Sequence, residues 1–165
     1  MKITDLFLAE LEREAAATRR ALERVPDGRY DWKPHEKSMA LGYLAELVAR
    51  LLSWTVFMIK QDELELTTYK QPPLRTNREL VQALDDGVAE AREALANTTD
   101  EHLMKPWRLL VAGRVVSEEP RYIMLRDAVF NHLAHHRGQL TVYLRLNDVP
   151  VPAIYGPSAD EGSFA

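Results

Sequence analysis

Apolar residues recur with a period of about 3.6 along three segments of the chain's first hundred residues, which predicts three amphipathic helices. The first covers residues 4–24, and the second covers residues 39–65 with Ser38 as its N-cap. The third begins at Thr76 or Asn77, after a loop that ends in two prolines. Helices of this length and pattern favour packing on a shared core as a bundle.

The buried face predicted for the second helix consists mostly of large apolar side chains: Tyr43, Leu44, Leu47, Leu51, Trp54 and Met58. Leu47 lies at the centre of this face. Glu46 lies about 100° around the helix axis from Leu47, at the margin between the buried face and solvent. Glu46 is therefore a carboxylate that can turn toward the interior.

A fourth helix is predicted over residues 120–147, because the hydroxyl and carboxylates of residues 117–119 suit a helix N-terminus. His132 and His136 are spaced i and i+4, so their side chains lie one turn apart on the face predicted to meet the core. The same face carries Leu125, Val129, Gln139, Leu140 and Tyr143. The helix thus presents two imidazoles to the interior.

The other faces of the fourth helix also carry information. His135 lies to one side of the core face, and Arg137 is predicted to point well away from it. The reverse face is too apolar for open solvent, since it carries Phe130, Ala134 and Thr141. This face is therefore expected to pack against another helix or against a second subunit.

Two further segments are predicted to be non-helical. In residues 105–116, β-branched and apolar residues flank Ala112-Gly113, which indicates a short hairpin or an extended crossover. After Asn147, three prolines exclude a helix and favour an extended tail along the bundle. The prediction is one all-α domain over residues 1–165: a four-helix bundle, up-down, with one long crossover that contains the hairpin or extended segment.

The loop between the first two helices is rich in aromatic residues. Tyr30 and Trp32 are expected to fold back over one end of the bundle as a lid on the core, and contact with a substrate is the alternative. His35 in the same loop is a candidate proton donor or acceptor for a site at that end.

The histidine pair has two interpretations. Neutral imidazole is a good ligand for zinc, nickel or iron, and two imidazoles on adjacent turns of a rigid helix can hold one ion together. Alternatively, both histidines are hydrogen-bonded core residues or lie at an interface between helices. The spacing alone leaves both interpretations open.

Composition narrows the classes of function. The formal net charge is −4 without a long run of like charges, which argues against a nucleic-acid or membrane-surface partner. The chain has no cysteine, so thiolate metal sites and cysteine nucleophiles are excluded. Acidic residues follow too soon after Met1 for a signal peptide, and we expect a cytoplasmic protein.

Several stretches resemble DinB-like proteins of the YfiT/DinB superfamily: residues 32–39, Leu44-Ala45, Trp54, residues 61–64, His132-Leu-Ala-His-His-Arg-Gly-Gln-Leu140 and residues 150–161. The resemblance covers nearly the whole chain. It implies a helical bundle that often dimerises and a divalent metal held by three histidines, one on the second helix and two on the fourth. The fourth-helix pair corresponds to His132 and His136.

The sequence departs from this pattern at the second helix. In relatives a histidine follows a Leu-Ala-x motif, whereas Leu44-Ala-Glu-Leu47 places Leu47 at that position. Two imidazoles without a third donor bind a divalent ion weakly, because a catalytic zinc site usually has three protein ligands. Glu46 is a candidate substitute, since its carboxylate would serve as an oxygen ligand if it turned inward.

The resemblance therefore implies two main functions. The first is a metal-dependent hydrolase or a transferase that uses a low-molecular-weight thiol. Zinc or nickel would be held by His132, His136 and Glu46 or another carboxylate, with His35, His135 or Tyr155 as proton donor or acceptor. The second is a non-catalytic protein that binds a small molecule or a partner and has lost the metal. A third function is that of a structural homodimer whose interface is the reverse face of the fourth helix.

Overall fold

The computed structural model describes residues 2–162. Its elements follow the order α1 (Ile3–Leu22), α2 (Leu41–Arg50), a 3₁₀ turn (Leu51–Ser53), α3 (Trp54–Lys60), β1 (Glu63–Glu65), α4 (Asn77–Ala96), α5 (Asp100–Leu103), β2 (Pro106–Val111), β3 (Arg114–Pro120), α6 (Arg121–Met124), a π-helical segment (Leu125–Asn131) and α7 (His132–Leu146). The chain is mostly helical. Apolar side chains of the long helices meet in one core.

Side-chain caps define the starts of α1 and α4, which pack along each other. The Asp100 carboxylate accepts hydrogen bonds from the backbone N–H groups of Ile3 and Thr4 at 3.0 and 3.2 Å, so a residue of α5 caps α1. At α4 the Thr76 hydroxyl accepts from the N–H of Glu79 at 3.2 Å, while the Glu79 carboxylate accepts from the N–H of Thr76 at 2.9 Å. This reciprocal cap confirms the start predicted at Thr76.

The predicted second helix is shorter than expected and is interrupted. Helical structure runs from Leu41 to Lys60 with a 3₁₀ turn at Leu51–Ser53, rather than over residues 39–65. Ser38 does not cap it, since the N-cap residue is Ala40. Tyr43, predicted to be buried, is 62% exposed. Chain length and composition would allow Leu41–Lys60 to cross a membrane, but half of that segment is buried within the fold, as expected for a core helix.

A three-stranded sheet corrects the all-α prediction. The strand order is β1-β2-β3, with β1 parallel to β2 and β2 antiparallel to β3. The β2–β3 pair is the predicted hairpin. Residues 117–119, predicted to begin the fourth helix, lie in β3 instead. The guanidinium of the buried Arg121 donates to the carbonyls of Lys105, Pro106 and Gln61 and pairs with Asp62, so it joins the sheet to the following helix.

The tip of the hairpin is held by a carboxylate from β1. Ala112 and Gly113 both have positive φ, 50° and 74°, which suits a tight turn between antiparallel strands. Their backbone N–H groups donate to the Glu65 carboxylate at 3.1 and 2.8 Å, and Thr67 donates to it through its backbone and its hydroxyl. Glu65 therefore links β1 to a turn about fifty residues later in the chain.

We expect Glu65→Gln to loosen this turn. Hydrogen bonds from the Thr67 hydroxyl and from the N–H of Gly113 lower the pKa of Glu65 from 4.5 to about 2. Because the folded pKa is the lower one, the stabilisation by the carboxylate is fully present above about pH 4.5 and is lost as the pH falls toward 2. Amide hydrogen exchange at Ala112 and Gly113 would speed up in the variant at neutral pH. Unchanged exchange would contradict this role, and Glu63→Gln on the same strand is the matched control.

The fourth helical segment is continuous from Arg121 to Leu146 but changes geometry along its length. The π-helical segment, Leu125–Asn131, ends directly before His132. Phe130, on the apolar reverse face, is buried and stacks on Phe7 of α1 with 5.5 Å between ring centroids. Packing against α1 therefore explains part of that apolar face. The homodimer stays a prediction.

The loops and tail follow the sequence expectations within the described residues. Tyr30 is buried against Gly42, where an added Cβ would lie 2.5 Å from the Tyr30 ring, so α2 needs a glycine at this contact. Trp32 meets Tyr143 of α7 edge-to-face. The tail contains no helix up to Gly162 and is tied to the helices by ion pairs of Arg24 with Glu161 and of Arg145 with Asp160.

Candidate functional site

The histidine pair lies at the junction between the π-helical segment and α7. π-helical turns occur frequently at functional sites, because they change the direction in which the following side chains point. His132 is half-buried, and His136 is 8% exposed. The prediction that both imidazoles point inward is therefore confirmed for His136 and holds in part for His132, which lines a cavity.

The two rings contact each other through their Nε2 atoms, which are 2.8 Å apart. The Nδ1 atom of His136 is 2.8 Å from the Oε1 atom of Gln139. Because an amide oxygen only accepts, His136 carries its proton on Nδ1 and presents the Nε2 lone pair to His132. His132 donates from its own Nε2 in the tautomer that joins the pair through one proton, whereas in its other neutral tautomer the proton lies on Nδ1, toward the backbone of Ala128.

The electrostatic surroundings keep His132 neutral. Burial lowers the pKa of His132 below 6.5, the charge of His136 lowers it further, and a backbone hydrogen bond to Ala128 acts in the opposite direction. A neutral imidazole is the form that accepts hydrogen bonds or coordinates a metal ion. Both roles are therefore open to His132 at neutral pH.

A cavity of about 590 Å³ lies beside His132. One wall comes from α2 and α3 through Tyr43, Glu46, Leu47, Arg50 and Trp54. The other comes from the segment after β1 through Leu66, Tyr69, Lys70 and Gln71. The cavity is mainly aromatic and aliphatic, with a few charged groups and one imidazole, which is the usual character of a small-molecule site.

Glu46 lines the same cavity as His132, but its carboxylate has other partners. One oxygen lies 3.5 Å from Nε of Arg50, and the other accepts from the backbone N–H of Leu74 at 3.3 Å. Leu47, at the position where relatives have a histidine, is half-buried in the cavity wall. The side chain nearest to the expected third ligand is thus a hydrocarbon, and the neighbouring carboxylate is engaged.

These residues do not fit a three-ligand metal site. Among residues 2–162, no group of three or more His, Cys, Asp or Glu side chains is arranged to hold an ion. The 2.8 Å between the Nε2 atoms is also shorter than the separation required by a tetrahedral ion, which is about 3.4 Å for zinc–nitrogen bonds of about 2.0–2.1 Å. Coordination by both rings requires the shared proton to leave and the rings to separate slightly.

The other predicted site residues do not converge on the pair. His35 is exposed in the loop before α2, and its Nδ1 accepts from the N–H of Lys37 at 3.1 Å. His135 is exposed on α7, where its Nε2 lies 3.0 Å from Nε2 of Gln139. The His135 ring also meets the His136 ring edge-to-face, with 4.9 Å between centroids, but its hydrogen bond goes to Gln139. Tyr155 lies in a different cavity, beside α1.

Arg137 was missed by the sequence prediction, which placed it facing away from the core. Its side chain is 1% exposed, and its guanidinium contacts Oε2 of Glu14 at 2.7 Å and Oγ1 of Thr18 at 3.0 Å. The Tyr155 hydroxyl donates to the same Glu14 oxygen at 2.9 Å, and burial raises the pKa of Tyr155. This cluster joins α7, α1 and the tail next to His136, and so fixes the rotation of α7.

The fold and the site together define a class: a mostly helical protein whose last long helix places a histidine pair at the wall of a cavity. A model described as the DinB family matches residues 1–163. The chain belongs to the DinB family.

Two solved structures of DinB-like proteins resemble the chain. One, from Bacillus subtilis, has a TM-score of 0.71 and 20% sequence identity, covering 91% of this chain and 98% of that protein. The other, from Bacillus cereus ATCC 10987, has a TM-score of 0.70 and 24% identity, with coverages of 90% and 95%. No curated protein matches the chain. At these identities the two structures establish the fold.

Proposed function

We propose that the chain binds a small organic molecule in the cavity between α2–α3 and α7, with His132 as the polar group on its inner wall. The observation that carries the proposal is the cavity itself. Its volume of about 590 Å³ lies within the range of about 300–1,000 Å³ that is usual for small-molecule sites. Trp54, Tyr69 and Leu47 supply apolar surface, and His132 adds a polar edge to the wall.

The proposal assigns the histidine pair to shaping the wall of the cavity. His132 occupies its Nε2 with His136, and this contact holds its ring in one orientation. In this proposal zinc or nickel binds weakly or not at all, because Leu47 takes the place of a ligand and Glu46 is paired with Arg50.

The proposal extends to architecture and assembly. In this proposal α1, α2–α3, α4 and α6–α7 form a four-helix bundle, which is supported by the packing of α4 on α1, α2 and α3 and of α2 on α7. The proposal also includes that the protein is a cytoplasmic homodimer that binds neither nucleic acid nor a membrane.

Binding of small molecules in this cavity would be blocked by Leu47→Trp. The larger ring enters the cavity from α2, so fragments that bind the wild-type protein in a ligand-observed NMR screen should lose binding. Val142→Trp adds the same ring at an exposed position of α7 and is the matched control. Fragments that bind Leu47→Trp as well as they bind the wild type would show that the ligand site lies elsewhere. Circular dichroism confirms that each variant is folded.

A second candidate function is a metal-dependent hydrolase or a transferase that uses a low-molecular-weight thiol. It is favoured by the convergence of two Nε2 atoms and by the position of Glu46 on the wall of the same cavity. It requires the Glu46 carboxylate to break its ion pair with Arg50 and its hydrogen bond with the N–H of Leu74. Metal titration separates the two functions.

A further inference from the structure

We infer that the ligand of this cavity is a small organic anion with a flat apolar body, such as an aromatic carboxylate. The inference rests on the proposed small-molecule function and adds the chemical class of the ligand. It is carried by the charges and aromatic rings that the structure places around the cavity beside His132.

The charged groups of the cavity leave a positive balance. Glu46 is paired with Arg50 at 3.5 Å, so these two charges largely offset each other. Lys70 lines the same cavity, and none of the ion pairs within 4.0 Å among the described residues involves it. The formal charge of the three side chains is therefore +1, which favours a ligand with one negative charge.

Arg50 retains hydrogen-bonding capacity. One of its terminal nitrogens donates to the carbonyl of Pro72 at 2.6 Å. Its Nε is buried and has no hydrogen-bond partner among the described residues, although Glu46 is nearby. A buried donor without a partner is unfavourable unless another group satisfies it. A ligand carboxylate beside this Nε–H would supply that partner.

The opposite part of the cavity is suited to a flat ring. Trp54 and Tyr69 meet edge-to-face with 5.7 Å between ring centroids, and Phe57 supports Tyr69 in the same way at 5.5 Å. The Tyr69 hydroxyl accepts from Nε2 of Gln71, so its own proton is free to donate to a ligand. Tyr43, exposed on α2 at the cavity, adds a further ring. The surrounding side chains thus combine stacking surface with donors for an anion.

The position of the loop over the cavity supports the same inference. The carbonyl of Pro72 and the N–H of Leu74 are held by Arg50 and Glu46, respectively. The ion pair on α2 therefore fixes the loop that carries Tyr69 and Lys70. A ligand anion would therefore bind Lys70 on a loop that is already anchored. Less conformational freedom is lost on binding than with a mobile loop.

The test compares matched acids and amides: benzoate with benzamide, phenylacetate with phenylacetamide, and 2-naphthoate with 2-naphthamide. Dissociation constants come from NMR chemical-shift titrations of the wild type, Lys70→Gln and Lys105→Gln. Lys105 lines a different cavity and is the charge-matched control. We expect acids to bind more tightly than their amides, and Lys70→Gln to weaken the acids about three- to fivefold, as for one exposed charge, while leaving the amides unchanged.

The outcomes separate this inference from the proposed function. Amides that bind as tightly as acids, or acids unaffected by Lys70→Gln, would overturn the anionic class and leave a small-molecule site in place. Equal weakening by Lys70→Gln and Lys105→Gln would show a general charge effect and would also overturn it. Absence of binding by every acid and amide to the folded wild type would contradict both the inference and the proposed function.

Discussion

Replacing Arg137 with methionine is expected to lower the free energy of unfolding by about 3–5 kcal/mol, the usual effect of removing one partner of a buried ion pair. The Arg137 side chain is 1% exposed and contacts Glu14 at 2.7 Å. Its removal leaves the Glu14 carboxylate, also largely buried, with the Tyr155 hydroxyl as its main donor. Urea unfolding followed by circular dichroism measures the change.

Two controls distinguish the buried pair from a general loss of charge. Arg145→Met removes an exposed arginine from the same helix, where the ion pair with Asp160 is largely solvated, so we expect a far smaller change. Adding Glu14→Gln to Arg137→Met should recover part of the lost stability, because the unpaired charge is gone. Equal losses in Arg137→Met and Arg145→Met would contradict the role assigned to the cluster.

Replacing Leu47 with histidine is expected to raise the affinity for zinc or nickel by more than about 100-fold, since changes beyond the ligands themselves already alter metal affinity by about 10–100-fold. Leu47 lines the same cavity as His132, so the new imidazole would approach the pair from α2. A half-buried leucine lost from the wall should destabilise the metal-free form by about 1–2 kcal/mol.

The matched control for this change is Leu47→Gln, which introduces a polar side chain of similar size without an imidazole. It should share the loss of stability and should not gain metal affinity. If Leu47→His still raises the metal affinity in a protein that also carries His136→Ala, the new histidine binds metal without the His132–His136 pair. That result would show that the pair is not part of the metal site.

The sequence predicted those elements whose determinants are local. Thr76 and Glu79 form a cap within four residues, and the Ala112-Gly113 turn joins adjacent strands, so both were foreseen. β1 was missed because the second helix was predicted to continue to residue 65, through Asp62 and Glu65. Its strand conformation depends on pairing with β2, more than forty residues later in the chain. A distant hydrogen-bonding partner therefore outweighed the local pattern.

Arg137 was misplaced because one core face was assumed for the fourth helix. α7 packs on α2 on one side and on α1 on another, so two faces are buried. A signal was present on α1, where Glu14 lies on the face that carries Leu11 and Thr18. A charged residue on a buried face needs a partner of opposite charge. The identity of that partner depended on how the helices pack.

The histidine pair shows the limit of prediction at the site itself. Its i, i+4 spacing was sufficient to bring the rings together, and their Nε2 atoms do meet. The ion pair of Glu46 with Arg50 follows the same i, i+4 spacing within α2, but spacing could not show that the N–H of Leu74 also holds Glu46, since that contact comes from the loop after β1. The surroundings of the candidate third ligand therefore depend in part on a tertiary contact.

Titration calorimetry of zinc and nickel into wild-type protein purified without a histidine tag tests the central claim, that this ligand set stops at two imidazoles. Glu46→Gln and His132→Ala are titrated in parallel. We predict weak binding by the wild type that is unchanged in Glu46→Gln and abolished in His132→Ala. Tight, stoichiometric binding by the wild type that Glu46→Gln abolishes would identify Glu46 as the third ligand and contradict the claim.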